Sequence, residues 1–380
     1  MQAHSQQIND TFSGLAGKLE SKNTTILGDS FEFGSLFNGF KGTMLSVHQA
    51  HEALASGQLD LYIWIATRKV VDICVKKKLA LAQDELVSRA MDQLILELAV
   101  AFKGFVDGPH IAIVDPRNHA DMDALVENAQ RLSKMIKEQG MTDQICFTIP
   151  ATEAGIYAAQ KLEKQGIQVN LCMVTSLMHA AACTEAGAST ISIPVGLLLD
   201  QYERKRSIPS VTSSAHPGIQ SIQIILAYFR LNKIRTRVIG TSLRNLSEVG
   251  LLSEFDAVCI TPEQSERLRW SPVSVDALDR QDHPAVLRAQ QAKYPTDLLG
   301  LDTGFSSWFS PASRKFASNV LQPVLQDSKR QMDDIEDRLR DELIWQLDLA
   351  TLPMKALERK YDKKKRELTQ NIAARDTDYR

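Results

Sequence analysis

Through the middle of the chain, short β-type runs of apolar residues alternate with longer stretches in which apolar positions recur every three or four residues. Eight short runs read as strands: NTTILGD ending at Asp29, FKGTMLSV at Val47, HIAIVD at Asp115, QICFTIP at Pro150, QVNLCMV at Val174, STISIPV at Val195, TRVIGTS at Ser242 and DAVCITP at Pro262. Between them the period is helical. EAGIYAAQKLEKQG places Ile156, Ala159 and Leu162 on one face and stops at Gly166, and SLMHAAACTEAG stops at Gly187. Eight strands alternating with helices predict an α/β protein whose parallel sheet closes into a (β/α)8 TIM barrel. A doubly wound open sheet is the alternative. No GxGxxG or GxxxxGK[ST] follows any strand, so the phosphate-cradling loop of the nucleotide folds is missing.

Pro, Ser and charge gather in SPVSVDALDRQDHPAVLRAQQAKYPTD, around residues 270–300, which reads as a long connection after the eighth strand. Beyond Gln326 a charged helix carries an apolar stripe at Met332, Ile335, Leu339, Leu343 and Leu347, and after Pro353 the chain turns basic. The stripe is expected to pack on the barrel, because too few heptads are regular for a coiled coil. The division predicted is a barrel over residues 1–340 and a charged helical C-terminal extension over 341–380, which adds stability or association rather than chemistry.

Composition narrows the class. Lys and Arg number 44 against 46 Asp and Glu, a net charge of −2, so the basic excess that phosphate backbones require is missing and nucleic acid is not expected as a partner. Apolar residues at 44% and charged residues at 24% are those of an ordinary globular protein. No apolar run approaches the ~18 residues a membrane span needs, and the start MQAHSQQINDTFSG lacks a basic region followed by an apolar one. The five cysteines are odd in number and widely spaced with no CxxC, which excludes a disulfide framework and leads us to expect a cytoplasmic protein. His48 and His51 stand three apart, but a metal would need a carboxylate that the sequence does not identify, so neither metal nor cofactor is expected. The partner expected is a small-molecule substrate, with a homodimer left open.

The stretches TEAGIYAAQKLEKQGIQVNL, AAACTEAGASTISIPVG, HPGIQSIQIILAYFR and VIGTSLRNLSEV, colinear between Gln144 and Pro262, resemble transaldolase, the class I aldolase-type barrel enzyme of the pentose phosphate pathway. Weaker likeness, in TTILGDSFEFGSL, TRKVVDICV and SPASRKFASNVL, extends the resemblance to roughly residues 24–340. It implies a (β/α)8 barrel with its site at the carboxyl ends of the strands.

The resemblance also implies a set of site residues, some kept and some lost. The family's fourth-strand lysine, which forms a Schiff base with a ketose phosphate, corresponds to Thr148. Its third-strand glutamate corresponds to Ile113 and its fifth-strand threonine to Cys172. Asp29 matches the first-strand acid/base aspartate, Asn170 the fifth-strand asparagine, Ser192 the sixth-strand serine, and Ser242 with Arg244 the pair that holds substrate phosphate. The second-strand asparagine reads as Met44, the other phosphate arginine as Leu197, and the aromatic between them as Pro194. Met44, Ile113, Thr148, Cys172 and Leu197 are thus expected to line an apolar pocket, where sugar-reading groups have been lost.

Each residue also has a plainer reading. Asp29 is either a base whose pKa is raised by apolar surroundings or a capping strand-end aspartate. Arg244 holds an anion or ties loops together. His119, after the third strand, is the histidine best placed for proton transfer, or is merely solvated. Cys172 without an activating histidine reads as a small buried hydrophobe. The basic run Lys363 to Arg366 reads as a solvated helix face.

The function expected is a diverged transaldolase-like enzyme working on a less polar, specialised-metabolism intermediate by non-covalent acid/base chemistry, with Asp29 and His119 catalytic and Asn170, Ser192, Ser242 and Arg244 binding substrate. The alternatives are an inactive transaldolase-like pseudoenzyme that binds a metabolite or protein, and a working transaldolase with a relocated lysine.

Overall fold

The computed structural model describes residue 19 and residues 23–31, 40–79, 81–141, 145–206, 213–270, 282–293, 297–300, 304–350 and 354–377. Eight parallel strands pair in chain order and close on themselves: β1 (Thr25–Gly28), β2 (Gly42–Met44), β3 (His110–Ile113), β4 (Ile145–Pro150), β5 (Val169–Cys172), β6 (Thr190–Pro194), β7 (Arg237–Thr241) and β8 (Ala257–Ile260). Every strand lies within a run expected from the sequence, and closure of β8 onto β1 through Ile26 and Val258 excludes the open sheet.

Why these runs form a barrel is visible in their period-two patterning. In β4, Ile145, Phe147 and Ile149 point outward into the main core beneath the helices, whereas Cys146 joins a small core inside the barrel. In β8, Val258 and Ile260 face the helices and Ala257 and Cys259 face inward. Each outward Ile or Phe buried to a few per cent exposure stabilises the sheet–helix layer by about 2 kcal/mol. Inside the barrel, Leu27, Ile111, Cys146, Ile239, Ala257 and Cys259 form that small core, and space is left above it at the carboxyl mouth.

The helices are α1 (Val47–Ala55), α2 (Asp60–Lys77), α3 (Gln83–Lys103), α4 (Met122–Glu138), α5 (Glu153–Glu163), α6 (Leu177–Glu185), α7 (Val195–Arg206), α8 (Pro217–Leu231), α9 (Leu246–Leu251), α10 (Pro262–Trp270), α11 (Pro284–Gln291), α12 (Pro311–Ala350) and α13 (Met354–Thr377). Several start where a strand-end polar side chain caps them: Ser46 accepts from Gln49 N–H, Thr152 from Gly155 N–H and Ser176 from His179 N–H.

Two boundaries differ from expectation. The connection expected near 270–300 carries α11 within its described part, where Ala285, Val286 and Ala289 bury against neighbouring apolar residues, and residues 271–281 lie outside the described residues. The division at residue 340 falls inside α12, one helix of 40 residues. Its stripe of Met332, Ile335, Leu339 and Leu343 is buried in the main core, so the helix packs along the barrel flank against α1, α2 and α3 and continues past the expected boundary. No helix among the described residues is long and apolar enough to cross a membrane.

Candidate active site

A cavity of about 520 Å³ opens at the carboxyl ends of the strands. Asp29, Met44, Ile113, Thr148, Cys172, Ser192 and Ser242 all line it, so seven of the expected site residues from seven strand ends meet in one space. Its wall is mainly apolar, and among the described residues lining it there is no lysine or arginine.

Asp29 follows β1 directly and accepts a hydrogen bond from the backbone N–H of Ser46 at 2.9 Å. Burial raises its carboxyl from the usual 3.8 to about 6, against the lowering effect of the Ser46 hydrogen bonds and of His48. The same burial pushes the Cys172 thiol up to about 12, which leaves it a neutral wall group rather than a nucleophile.

Asn170 is fully buried one layer below the cavity floor. Its Nδ2 donates to Thr148 Oγ1 and to Ser192 Oγ, each at 3.2 Å, while its Oδ1 accepts from Thr190 Oγ1 at 3.0 Å. The residue expected to touch substrate therefore positions two hydroxyls that do face the cavity.

Ser242 adopts φ +52°, a left-handed backbone that a serine takes at some cost. The turn brings its carbonyl onto the N–H of Gly196 at 3.0 Å. A Cβ at residue 196 would lie 2.5 Å from that carbonyl and 2.7 Å from Arg244 Cγ, so only glycine permits this approach of the sixth and seventh strand loops.

Besides Asn170, three expected site residues do not reach the cavity. Arg244 gives Nε–H to Glu248 at 2.7 Å and Nη1–H to Asp200 at 2.7 Å and Glu203 at 3.0 Å, so carboxylates from α7 and α9 hold the guanidinium outside the lining. The loop-tying reading of this arginine is the one the geometry supports. His119 closes a short 3-10 turn (Pro116–Asn118), its carbonyl accepts from the Thr152 hydroxyl, and Pro116 takes the place at the wall. Leu197 packs on the main core from the first turn of α7.

The cavity has a side that strand reasoning missed. Val324, Leu325, Asp327, Ser328 and Gln331 of α12 also line it. Gln331 Nε2 lies 3.4 Å from His48 Nδ1, and one turn further Asp334 meets His51 Nε2 at 2.9 Å. The histidine pair three apart on α1 thus pairs with residues three apart on α12. Arg117, from the third strand loop, fixes the same helix through Asp333 at 2.9 Å and Glu336 at 2.6 Å. A tight interior proline, Pro323, directly precedes the lining segment. Among the described residues no group of three or more His, Cys, Asp or Glu has the arrangement of a metal site.

The family described as transaldolase/fructose-6-phosphate aldolase matches residues 67–300. A probable transaldolase of Dictyostelium discoideum is 35% identical over 202 residues, 53% of this chain and 63% of that protein. A transaldolase of Prochlorococcus marinus (strain NATL1A) is 28% identical over 292 residues, 76% of this chain and 85% of the relative. A transaldolase of Pseudoalteromonas atlantica is 36% identical over 194 residues, 51% of this chain and 61% of the relative. The match spans well over half of the chain and takes in six of the eight strands of the closed parallel barrel, whose cavity lies at the strands' carboxyl ends, and the chain belongs to the transaldolase/fructose-6-phosphate aldolase family.

Proposed function

We propose that this chain is an aldolase-type barrel enzyme that moves protons on a small, weakly polar carbonyl compound without a covalent lysine adduct, with Asp29 as the acid/base group. One observation carries the reading: a mainly apolar cavity with Asp29 at its base and no lysine or arginine among the described lining residues. Thr148 corresponds, by the family resemblance, to the Schiff-base lysine, and a hydroxyl cannot form an imine.

A carboxylate with pKa about 6 is ionised near pH 7.5 yet more basic than an ordinary aspartate, which suits proton abstraction next to a carbonyl. In this reading Asp29 takes the α-proton, and the Thr148, Ser192 and Ser242 hydroxyls meet the developing oxyanion. Asp29 then gives the proton to a different carbon of the enolate, completing an isomerisation, or the enolate carbon adds to a second carbonyl, whose oxygen takes the proton from Asp29, in an aldol-type or cyclisation step. The engagement of Arg244 by three carboxylates argues against a phosphate in this cavity. An apolar body gains ~25 cal/mol for each Å² it buries there.

The names of the relatives favour a second reading, transaldolase turnover itself. One experiment separates the two: exchange of the α-hydrogens of cyclohexanone in deuterated water, followed by NMR, beside transaldol transfer from fructose 6-phosphate. The proposal expects accelerated exchange that falls ~100-fold in Asp29→Asn, and no transfer. Transfer from fructose 6-phosphate, or exchange that Asp29→Asn leaves intact, overturns it.

A further inference from the structure

We infer that the opposite, amino-terminal mouth of the barrel is a second small-molecule site, built for a ligand with one anionic head on a short apolar body, and that Asn170 couples it to the upper cavity. A cavity of about 620 Å³ opens there, large enough for a ligand of metabolite size. Its floor is Leu27, Ile111, Cys146, Ile239 and Ala257, each at 8% exposure or less. Arg235 and Arg237 stand at the rim, so the two ends of the cavity differ in chemistry as an amphiphile's ends do.

The rim guanidiniums are available. Arg237 Nη2 reaches Thr25 Oγ1 at 3.3 Å and the Asp256 carbonyl at 3.5 Å, the outer limit of hydrogen bonding, and Arg235 makes no ion pair among the described residues. An anionic head would replace these long contacts with charge-assisted bonds. The neighbouring carboxylate of Glu163 is not among the lining residues and is held by the N–H groups of Val169 and Ser189 and by the Ser189 hydroxyl.

Coupling follows from one buried amide. Thr190 lines the lower cavity and Thr148 and Ser192 line the upper one. Asn170, fully buried between them, accepts from Thr190 at 3.0 Å and donates to both Thr148 and Ser192 at 3.2 Å. The amide is planar, so a ligand that draws the Thr190 hydroxyl away turns or shifts the group that orients the two upper hydroxyls. This inference is independent of the chemistry assigned to the upper cavity.

The test uses the full chain labelled at isoleucine methyls and with nitrogen-15 at asparagine, titrated with octyl phosphate, inorganic phosphate and 1-octanol. Ile111 and Ile239 report the lower cavity and Ile113 the upper. Octyl phosphate should shift Ile111 and Ile239 more than Ile113 and move the Asn170 carboxamide signals. Inorganic phosphate and octanol should each bind at least ~10-fold more weakly, and Arg237→Ala, with Arg235→Gln as a second variant, should weaken octyl phosphate ~10-fold. Unmoved Ile111 and Ile239, shifts centred on Ile113, or affinity unchanged in both arginine variants overturns the site. Lower-cavity binding that leaves Asn170 unmoved overturns the coupling.

Discussion

Arg244 donates its Nε–H to Glu248 at 2.7 Å, and the Glu248 side chain has no exposed surface. A buried carboxylate stripped of its cation is a costly residue, so Arg244→Ala should lower stability by about 3 kcal/mol in chemical denaturation, with Glu248→Gln in the same chain recovering part of the loss. An arginine that served a ligand instead would leave unfolding unchanged on removal and weaken only binding.

Stability should depend on pH through Asp29. Its carboxyl is raised from 3.8 to about 6 by burial, so folding takes up a proton between these values. The group's favourable contribution is complete below the lower value and lost as pH rises through about 6. Above that, the ionised side chain opposes folding by about 2 kcal/mol, less than full linkage gives because Asp29 is only partly buried and lines an open cavity. Asp29→Asn should therefore stabilise the protein by ~1–2 kcal/mol near pH 8, with the gain vanishing near pH 4. A gain that is constant with pH contradicts the assignment.

Thr148→Lys alone should not create transaldolase turnover. The new amine would lie beside Asn170, which now donates to the Thr148 hydroxyl, and in the aligned relay positions Ile113 and Cys172 have no proton to exchange at neutral pH. A coupled assay with fructose 6-phosphate and erythrose 4-phosphate checks this, and readily measured turnover in the single variant refutes it.

The C-terminal helix should contribute stability through a few contacts. Tyr361 of α13 packs edge-on to Trp64 and Trp345, and Lys364 Nζ lies 2.7 Å from Glu342, whose side chain is 2% exposed. Lys364→Met should cost about 2 kcal/mol by stranding Glu342, and Glu342→Gln should restore part of it. Deleting residues 351–380 should leave the barrel's circular dichroism in place at reduced stability, and loss of the folded signal would show that the barrel depends on α13.

How far the sequence was legible depended on the range of the interaction. The strands are read from a period of two, and the residues that the family resemblance implied at their ends, Asp29, Thr148, Cys172 and Ser192, meet in one cavity. Arg244 and His119 sit after strands, where direction is set by partners rather than pleat: Asp200 and Glu203 lie 44 and 41 residues from Arg244 along the chain. The wall supplied by α12 was equally hidden. Its stripe announces the face that packs on the barrel, but only tertiary pairs such as His51 with Asp334 fix which turn spans the mouth.

The proposed chemistry needs no amine. Intact-mass analysis after borohydride reduction, with the full chain incubated with fructose 6-phosphate or dihydroxyacetone, tests it most directly. Both ketoses should leave the mass unmodified, because no lysine stands among the described residues lining the cavity. A stable mass gain that peptide mapping places on a lysine of the barrel would contradict it.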